Sequence, residues 1–220
     1  PVGRLDLEYG DWFGDEILLQ ASERGFRLCY LFAKTPEHVQ MAARIGAVSV
    51  DSRVVLRQDF RGNLTNESGF IEDLAGLADL PAVIDLALQS AENSRFRIDP
   101  RMPQGKWQEL YREWGRKSLS GEMADAVLVE RLQGKVAGMI TLQRKGEQGS
   151  IGLFAVDERA RGRGYGARLL ERARRWLETR DCRHATVVTQ GDNASALRVY
   201  DRAGYRVMTQ ESVFHLWLPV

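Results

Sequence analysis

A short stretch of glycine and arginine residues in the C-terminal half has the composition of an anion-binding loop. The apolar run Ile151–Val156 leads into Arg161, Arg163 and three glycines at positions 162, 164 and 166, followed by an amphipathic helix predicted over 166–179. Glycines let neighbouring backbone N–H groups point at one spot, and a helix N-terminus adds a favourable dipole. The arginines supply the counter-charge for a pyrophosphate or 3′-phosphate. These residues predict a phosphate-binding loop after a buried strand.

Two other interpretations of this region are open to test on the same residues. Nine arginines lie between positions 157 and 183 against five acids, which is also typical of a solvated helix face. The glycines at 162–167 also fit the G-x-G-x-x-A turn of a dinucleotide-binding fold. That fold needs an acidic residue about 20 positions later, at the end of the next strand. The next predicted strand ends in Thr189-Gln190, so a dinucleotide fold is disfavoured.

The loop resembles the pyrophosphate loop of the GNAT N-acetyltransferases, with R-x-x-G-x-G at Arg161, Gly164 and Gly166. Segment 193–207, NASALRVYDRAGYRV, resembles the part of that family that closes the acetyl-coenzyme A site. The two motifs follow the family's order and spacing. The resemblance implies the GNAT α+β fold: a mixed, mostly antiparallel sheet with one splayed parallel pair and helices on both faces. It also implies acetyl-coenzyme A as co-substrate and no metal.

The resemblance assigns roles to individual residues. The freed backbone of the first parallel strand is expected to bind the pantetheine amides like an added strand. The loop is expected to bind the pyrophosphate, and Asn193 the pantetheine. The cofactor-binding residues implied in this way are Leu153, Phe154, Ala155, Val156, Arg161, Gly162, Arg163, Gly164, Tyr165, Gly166, Ala167 and Asn193.

Acetyl transfer to an amine also needs proton transfers. The family's leaving-group acid maps onto Tyr200, and a phenol with a pKa near 10 is suited to protonate a thiolate of comparable basicity. Asp157 and Glu158 follow the strand's end, and we interpret them as surface charges at the entry of the helix. No general base is assigned.

A narrower resemblance concerns the acceptor. The stretch 87–100, ALQSAENSRFRIDP, and the aromatic helix after it resemble the dTDP-fucosamine acetyltransferases. These acetylate a 4-amino-4,6-dideoxy sugar on a nucleotide diphosphate. The resemblance implies a nucleotide-linked amino sugar as acceptor, with Arg95 on the diphosphate and Phe96 beside a sugar or base. Two alternatives remain: a GNAT enzyme for another amine (an antibiotic, polyamine or protein amino group), and a non-catalytic coenzyme A sensor.

The elements that must position these residues follow from hydrophobic periodicity and turn residues. A strand at 26–32, a helix opened by Thr35-Pro36 and a strand at 48–56 come first. Helices are predicted over 81–91 and after Pro103, and a hairpin turns at Gln133-Gly134. The remaining predicted elements are strands at 151–156 and 185–189, a helix at 194–203, and two strands at 205–208 and 213–218.

A weak internal repeat suggests how the chain is organised. Residues 43–56 align with 201–214, each with a helix end, Arg-x-Gly, a strand, a turn and a strand. In the dTDP-fucosamine acetyltransferases that the chain resembles, a short domain echoing part of the GNAT fold precedes the catalytic one, and the repeat fits this layout. The resemblance thus implies a partial GNAT-like domain over 1–60, a linker over 61–68 and a catalytic domain over 69–220. Ala42 stands where the second copy has Tyr200, so the first domain is expected to be non-catalytic.

Composition limits the class of protein. The 220 residues carry 31 basic and 30 acidic side chains, a net charge of +1, which gives no reason to expect nucleic acid or an anionic membrane as partner. Two cysteines are too few for a disulfide scaffold. No apolar run approaches the length of a membrane span, and the first residues lack the apolar core of a signal peptide. We expect a cytoplasmic enzyme for a small molecule, with a homodimer as an option.

Overall fold

The computed structural model describes residues 2–6, 15–60 and 72–219. The predicted linker over 61–68 lies outside these residues. The described strands are β1 Val2–Asp6, β2 Leu28–Ala33, β3 Val48–Asp59, β4 Ala126–Leu132, β5 Lys135–Lys145, β6 Gln148–Val156, β7 His184–Gln190 and β8 Arg206–Trp217. The described α-helices are α1 Asp15–Glu23, α2 Pro36–Arg44, α3 Leu80–Ser90, α4 Arg95–Ile98, α5 Lys106–Leu119, α6 Tyr165–Glu178 and α7 Ala194–Arg202.

The chain divides by its contacts into two units that do not follow the sequence in simple halves. Unit 1 comprises 1–54, 190–192 and 209–220, and unit 2 comprises 55–189 and 193–208. The long strands β3 and β8 therefore each contribute one part to each unit. The domain boundaries expected from the sequence stay a prediction.

Unit 1 has a small mixed sheet. β1 pairs in parallel with β2, and β2 pairs antiparallel with the last six residues of β8. The helix α2 begins where it was predicted, because Thr35 accepts a hydrogen bond from His38 N and Pro36 takes the first helical position. The core of this unit is apolar: Cys29, Leu31, Ala33, Ala42, Phe214, Leu216 and Leu218.

Unit 2 is built on the strands β4 to β7. β4 and β5 form the predicted hairpin, whose turn residues Gln133 and Gly134 have φ of 52° and 79°. Positive φ at both turn residues is the signature of the two-residue turn that matches strand twist. β5 pairs antiparallel with β6, and β6 pairs in parallel with β7 through the crossover helix α6.

Helices cover both faces of this sheet, as the GNAT fold requires. α3 and α5 pack on one face through a core that contains Val83, Tyr111 and Leu153. On the other face α6 lies close against β6, since a Cβ on Gly149 would come within 2.6 Å of the Leu177 side chain. Both predicted helices, 81–91 and the one after Pro103, are confirmed as α3 and α5.

The prediction of two closing strands is wrong, because β8 is one continuous strand. The polar residues Gln210 and Glu211 suggested a turn, yet both have polar partners on β3. Gln210 Nε2 donates to Ser52 Oγ at 2.9 Å, and Arg53 Nη1 donates to Glu211 Oε1 at 2.6 Å. Polar side chains that find partners across a strand pair do not need to end the strand.

The internal repeat is present at the level of the elements. α2 and α7, and likewise β3 and β8, begin and end 158 residues apart. The pairs Ser52–Gln210 and Arg53–Glu211 also join residues 158 positions apart, so equivalent positions of the two copies contact each other. The predicted turn inside each copy is absent, because β3 continues to Asp59 as a single strand.

Candidate functional site

The parallel strands of unit 2 separate at their carboxyl ends. Their pairing runs from Gln148–His184 to Ile151–Val187 and is not continued by the residues beyond. A register shift in the β5–β6 pair at the same level places a bulge opposite Thr141. Thr141 Oγ1 accepts a hydrogen bond of 2.7 Å from Leu153 N, which satisfies that amide inside the bulge.

The backbone of β6 beyond the bulge presents alternate residues to the open side. Asp157 N donates to Ala137 O of β5 at 2.9 Å, so Ala155 also directs its backbone groups to β5. Phe154 and Val156 therefore direct theirs toward the gap between β6 and β7. The carbonyl of Val156 accepts a bond of 3.2 Å from Arg161 Nε. Of the four strand residues predicted to bind pantetheine, these two have the suitable backbone direction.

The glycine-rich loop ends at an uncapped helix N-terminus. Gly162 and Gly164 have φ of 77° and 80°, the left-handed conformation that strongly favours glycine. Gly164 is the N-cap of α6 and offers no side-chain acceptor to the first turn. The amides of Tyr165, Gly166 and Ala167 precede the first intrahelical bond, from Arg168 N to Gly164 O. This end of a 14-residue helix can therefore bind an anion.

Gly166 lets the helix approach the strand. A Cβ at this position would lie 3.3 Å from Phe154 Cζ and 3.7 Å from Val199 Cγ1. Glycine at 166 thus brings the first turn of α6 against the ring of Phe154 and the side of α7. The loop, the open strand and α7 meet at this point.

A cavity of about 690 Å³ lies where these elements meet. Its volume falls within the range of small-molecule sites. Ten of the thirteen residues predicted to bind the cofactor or act as the acid on the basis of the GNAT resemblance line it: Phe154, Ala155, Val156, Arg161, Gly162, Gly164, Tyr165, Gly166, Ala167 and Asn193. Leu153, Arg163 and Tyr200 are not among its lining residues.

Asn193 lies at the start of α7 and forms its cap. Its Oδ1 accepts from Ala196 N at 3.1 Å and from Ser195 Oγ at 3.0 Å. Asn193 can both cap α7 and line the cavity, because the N-terminal end of α7 borders the cavity. The predicted contact with pantetheine stays a prediction.

Tyr200 lies beneath the cavity lining, 3% exposed. Its ring centroid is 5.7 Å from that of Phe154 and 5.5 Å from that of Tyr205. Burial, and to a smaller extent the neighbouring Tyr205 phenol, raises the pKa of Tyr200 well above its usual value. The phenol is therefore held in its protonated form, and the raised pKa makes it a weaker acid than the unperturbed side chain considered in the sequence analysis.

Most of the arginine-rich segment forms ion pairs on the protein surface. Glu130 pairs with Arg168 and Arg172, and Glu171 pairs with Arg174 and Arg175. Arg161 and Arg174 line the cavity. The solvated helix face is thus the right interpretation for much of the segment, while Arg161 of the loop and Arg174 of α6 belong to the cavity lining.

The carboxylate of Asp157, directly after β6, stabilises the start of the loop. Asp157 Oδ1 accepts from Arg159 N at 2.9 Å and caps a short 3₁₀ turn, Glu158–Ala160. This backbone hydrogen bond is the main cause that lowers the pKa of Asp157. A carboxylate with a lowered pKa is a weaker base, in line with the interpretation of a charge at the helix entry.

The predicted acceptor residues lie on α4, apart from the cavity lining. The Arg95 guanidinium is 4.8 Å from the ring centroid of Phe96. Phe96 packs against the core formed by α3 and α5. The cavity lining includes Glu92 and Asn93, just before α4. The role of Arg95 and Phe96 toward an acceptor stays a prediction.

Several cavity residues were missed by the sequence analysis. Gln58 comes from β3, far from the motifs in sequence, and its Nε2 donates to Ala203 O at 2.6 Å. No local pattern identifies such a residue, because a single glutamine in a strand has no motif. The other missed residues are Gln89, Ser90, Glu92, Asn93, Ala160, Leu170, Glu171, Arg174, Ser195, Ala196, Val199, Arg202 and Ala203. The face of α7 that lines the cavity, 195, 196, 199, 202 and 203, follows helical spacing.

Comparison with known proteins agrees with this geometry. The family model described as "Acetyltransferase (GNAT) family" matches residues 87–205, more than half of the chain. The chain belongs to the GNAT acetyltransferase family. Members of this family are acetyl-coenzyme A-dependent N-acetyltransferases, so the expected cofactor is confirmed at the level of the family.

Two relatives of known name are about 30% identical to this GNAT protein over the segments that align. The spore coat polysaccharide biosynthesis protein SpsD of Bacillus subtilis is 29% identical over 139 residues, 63% of this chain and 48% of SpsD. The dTDP-fucosamine acetyltransferase of Escherichia coli is 30% identical over 147 residues, 66% of this chain and 62% of that enzyme. The chain thus spans between about half and three-fifths of these relatives.

The fold comparison covers almost the whole GNAT protein. A GCN5-related N-acetyltransferase from Sphaerobacter thermophilus superposes on 93% of this chain and 66% of its own, with a TM-score of 0.62 and 17% identity. This likeness concerns the fold alone, and the predicted GNAT fold is confirmed. Among the described residues, no helix is both long and apolar enough to cross a membrane.

Proposed function

We propose that this protein transfers the acetyl group of acetyl-coenzyme A to the amino group of a nucleotide-linked amino sugar, such as a dTDP-4-amino-4,6-dideoxyhexose. The observation that carries the proposal is the cavity in which an uncapped helix N-terminus meets the open backbone of β6, beyond the point where β6 stops pairing with β7. The cavity combines an anion site with open strand backbone, which suits a cofactor with a diphosphate and two amides. Two relatives with names from sugar chemistry support the acceptor class.

The residues that would hold the cofactor fit its chemical groups. The amides of Tyr165, Gly166 and Ala167 would bind the pyrophosphate, with Arg161 as counter-charge. The backbone of Phe154 and Val156 would pair with the pantetheine amides as an added strand does. Arg161 must then leave Val156 O, its present acceptor, when it turns to the phosphates.

Bound acetyl-coenzyme A supplies an activated acetyl group as a thioester. Tyr200 would protonate the departing thiolate from its protonated phenol, which burial makes a weaker acid than a free tyrosine side chain. Phe154, which lines the cavity, packs against the Tyr200 ring with the two ring centroids 5.7 Å apart. No general base is proposed, since an amino group on a sugar can lose its proton to solvent through water.

The acceptor would approach along the segment that follows α3. Glu92 and Asn93 line the cavity, and Arg95 and Phe96 come next in the chain. Arg95 would bind the diphosphate, and Phe96 would lie beside the sugar or the base. A guanidinium offers several donors in a fixed geometry that suits phosphate oxygens.

A turnover screen tests the proposal directly. Purified protein is supplied with acetyl-coenzyme A and with a panel of dTDP- and UDP-linked amino sugars, the matching free amino sugars, polyamines and an aminoglycoside. We expect release of coenzyme A to be fastest with a nucleotide-linked amino sugar. Preferential turnover of a free amine would overturn the acceptor class, and failure to bind acetyl-coenzyme A at all would overturn the proposed enzymatic activity.

Cytoplasmic location, a homodimer and a separate non-catalytic domain over 1–60 stay predictions.

A further inference from the structure

The end of α3 is joined to the cofactor loop by a single side chain, Gln89. Gln89 Nε2 donates to Asp157 Oδ2 at 3.3 Å, and Gln89 Oε1 accepts from Glu158 N at 3.1 Å. Gln89 also lines the cavity, and it lies in the last turn of α3. One amide thus contacts two consecutive residues at the exit of β6.

The contact uses both halves of the amide. Asp157 Oδ1 is occupied by Arg159 N at 2.9 Å, and Asp157 N donates to Ala137 O at 2.9 Å. The partner of Asp157 Oδ2 must therefore be a donor, while the partner of Glu158 N must be an acceptor. Of the side chains long enough to span this distance, a glutamine amide supplies one of each.

The same region carries the cofactor loop and the segment toward the acceptor. Three residues after Gln89, the Glu92 carboxylate lies 3.8 Å from Arg161 Nη1, with both side chains more than half exposed. An exposed pair at this distance contributes little to stability. The defined link between α3 and the loop is therefore the pair of hydrogen bonds from Gln89.

We propose that Gln89 is a positioning residue that holds the first turn of the cofactor loop, 157–161, against the end of α3. In this role it keeps the loop in place for the phosphates of acetyl-coenzyme A and fixes the start of segment 92–96 relative to the cofactor. The proposal rests on the proposed cofactor site. It concerns the loop and not the transfer step.

Two single variants break the link by opposite means. Gln89→Glu keeps an oxygen for Glu158 N but places a second carboxylate oxygen against Asp157. Asp157→Asn keeps an oxygen for Arg159 N but places an NH₂ group against Gln89 Nε2. We expect each variant to raise the dissociation constant for acetyl-coenzyme A about three- to tenfold, the size of the net contribution of one ordinary hydrogen bond.

The double variant Gln89→Glu/Asp157→Asn exchanges amide and carboxylate. The introduced carboxylate then accepts from the introduced amide and from Glu158 N, and Arg159 N keeps its acceptor. All three hydrogen bonds are restored with the direction of one reversed. We expect the dissociation constant to return to within about twofold of the original. A general loss of packing would not be repaired in this way, since neither side chain regains its original chemistry.

The measurement is calorimetric titration with acetyl-coenzyme A, with the melting temperature of each variant recorded beside it. Gln104→Glu, at an exposed position before α5, introduces the same charge away from the loop and should change neither value. If the original protein binds acetyl-coenzyme A while both single variants bind equally well, or the double variant binds worse than either, the role of Gln89 is overturned. If the original protein does not bind the cofactor, the proposed function itself fails.

Discussion

Tyr200 and Tyr205 form a buried pair of phenols, of which Tyr200 packs directly against a residue of the cavity lining. Both rings lie in the interior, and burial raises the pKa of each phenol above its usual value. Tyr205 Oη has no hydrogen-bond partner among the described residues, whereas Tyr200 packs against Phe154 of the cavity lining. The pair therefore provides a test variant and a control within one cluster.

Tyr200→Phe is expected to lower kcat about 100-fold, because the proton donor is lost while the ring packing is kept. Affinity for acetyl-coenzyme A and the melting temperature should remain near those of the original protein. Steady-state kinetics with saturating cofactor measures the first, and calorimetry the second. Tyr205→Phe removes a hydroxyl without a partner and should leave kcat unchanged. Equal losses in both variants would assign the effect to packing rather than to the acid.

Arg95→Ala is expected to raise the KM for a nucleotide-linked amino sugar about 10- to 100-fold, the loss of one charge-assisted contact. The KM for acetyl-coenzyme A should stay nearly unchanged, because Arg95 is not among the residues that line the cavity proposed for the cofactor. Free amino sugar should be a poor substrate and indifferent to the substitution. The comparison of the two acceptors in both proteins checks this. A loss of equal size with the free sugar would show that Arg95 acts through the Phe96 packing instead.

The junction between β6 and α6 depends on its glycines at the level of the element. Gly164 has a φ of 80°, and a Cβ there would meet Arg168 Nη1 at an ordinary contact distance of 3.9 Å, so a side chain is opposed by backbone strain and not by a clash with a neighbour. The same holds for Gly146 in the turn between β5 and β6, with a φ of 59°. Gly164 and Gly146 thus share a left-handed backbone conformation, but Gly164 lines the cavity and Gly146 does not.

Gly164→Ala is therefore expected to lower the affinity for acetyl-coenzyme A about tenfold, because relief of the left-handed strain turns the amides of the first helical turn away from the anion. Both Gly164→Ala and Gly146→Ala should lower the melting temperature, and by similar amounts, because both place a side chain at a positive φ. Gly146→Ala should leave the affinity for acetyl-coenzyme A unchanged. Thermal unfolding and calorimetric titration of both variants provide the comparison. An affinity loss of equal size in the two variants would remove the loop from the cofactor site.

At the scale of the whole molecule, the first 60 residues supply parts of both units. Leu28–Ala33 pairs with the end of β8, and the apolar side chains of Phe214 and Leu216 pack with Cys29 and Leu31. Gln58 lines the cavity of unit 2 and binds the carbonyl at the end of α7. A chain that lacks these residues loses a strand partner, a core and a cavity residue together.

A fragment of residues 61–220 is therefore expected to be insoluble or unfolded when produced alone. Co-production with a separate fragment of residues 1–60 should restore a soluble complex, since the missing strands can pair without a covalent link. Circular dichroism and size-exclusion chromatography measure the outcome. A soluble 61–220 fragment with the melting temperature of the full chain would contradict the structural dependence and support an independent catalytic domain over 69–220.

Much of the fold was predictable because its helices and turns are specified by residues that are close together in sequence. Thr35-Pro36 starts α2, Gln133-Gly134 turns the β4–β5 hairpin, and the apolar spacing of α3 and α5 identifies their buried faces. β8 was mistaken for two strands because Gln210 and Glu211 have the polarity of a turn. Their partners, Ser52 and Arg53, are 158 residues away, and no window of sequence contains both.

The sequence by itself determined the glycine-rich loop between β6 and α6, since the alternating glycines after Arg161 fix its backbone conformation locally. Only the tertiary structure decided which strand residues turn their backbone toward the gap, because the bulge opposite Thr141 sets that direction. It also decided that Gln58 and Gln89 belong to the cavity, and that Tyr200 is enclosed beneath it. These properties depend on contacts between distant segments, and a single sequence records such contacts in no local pattern.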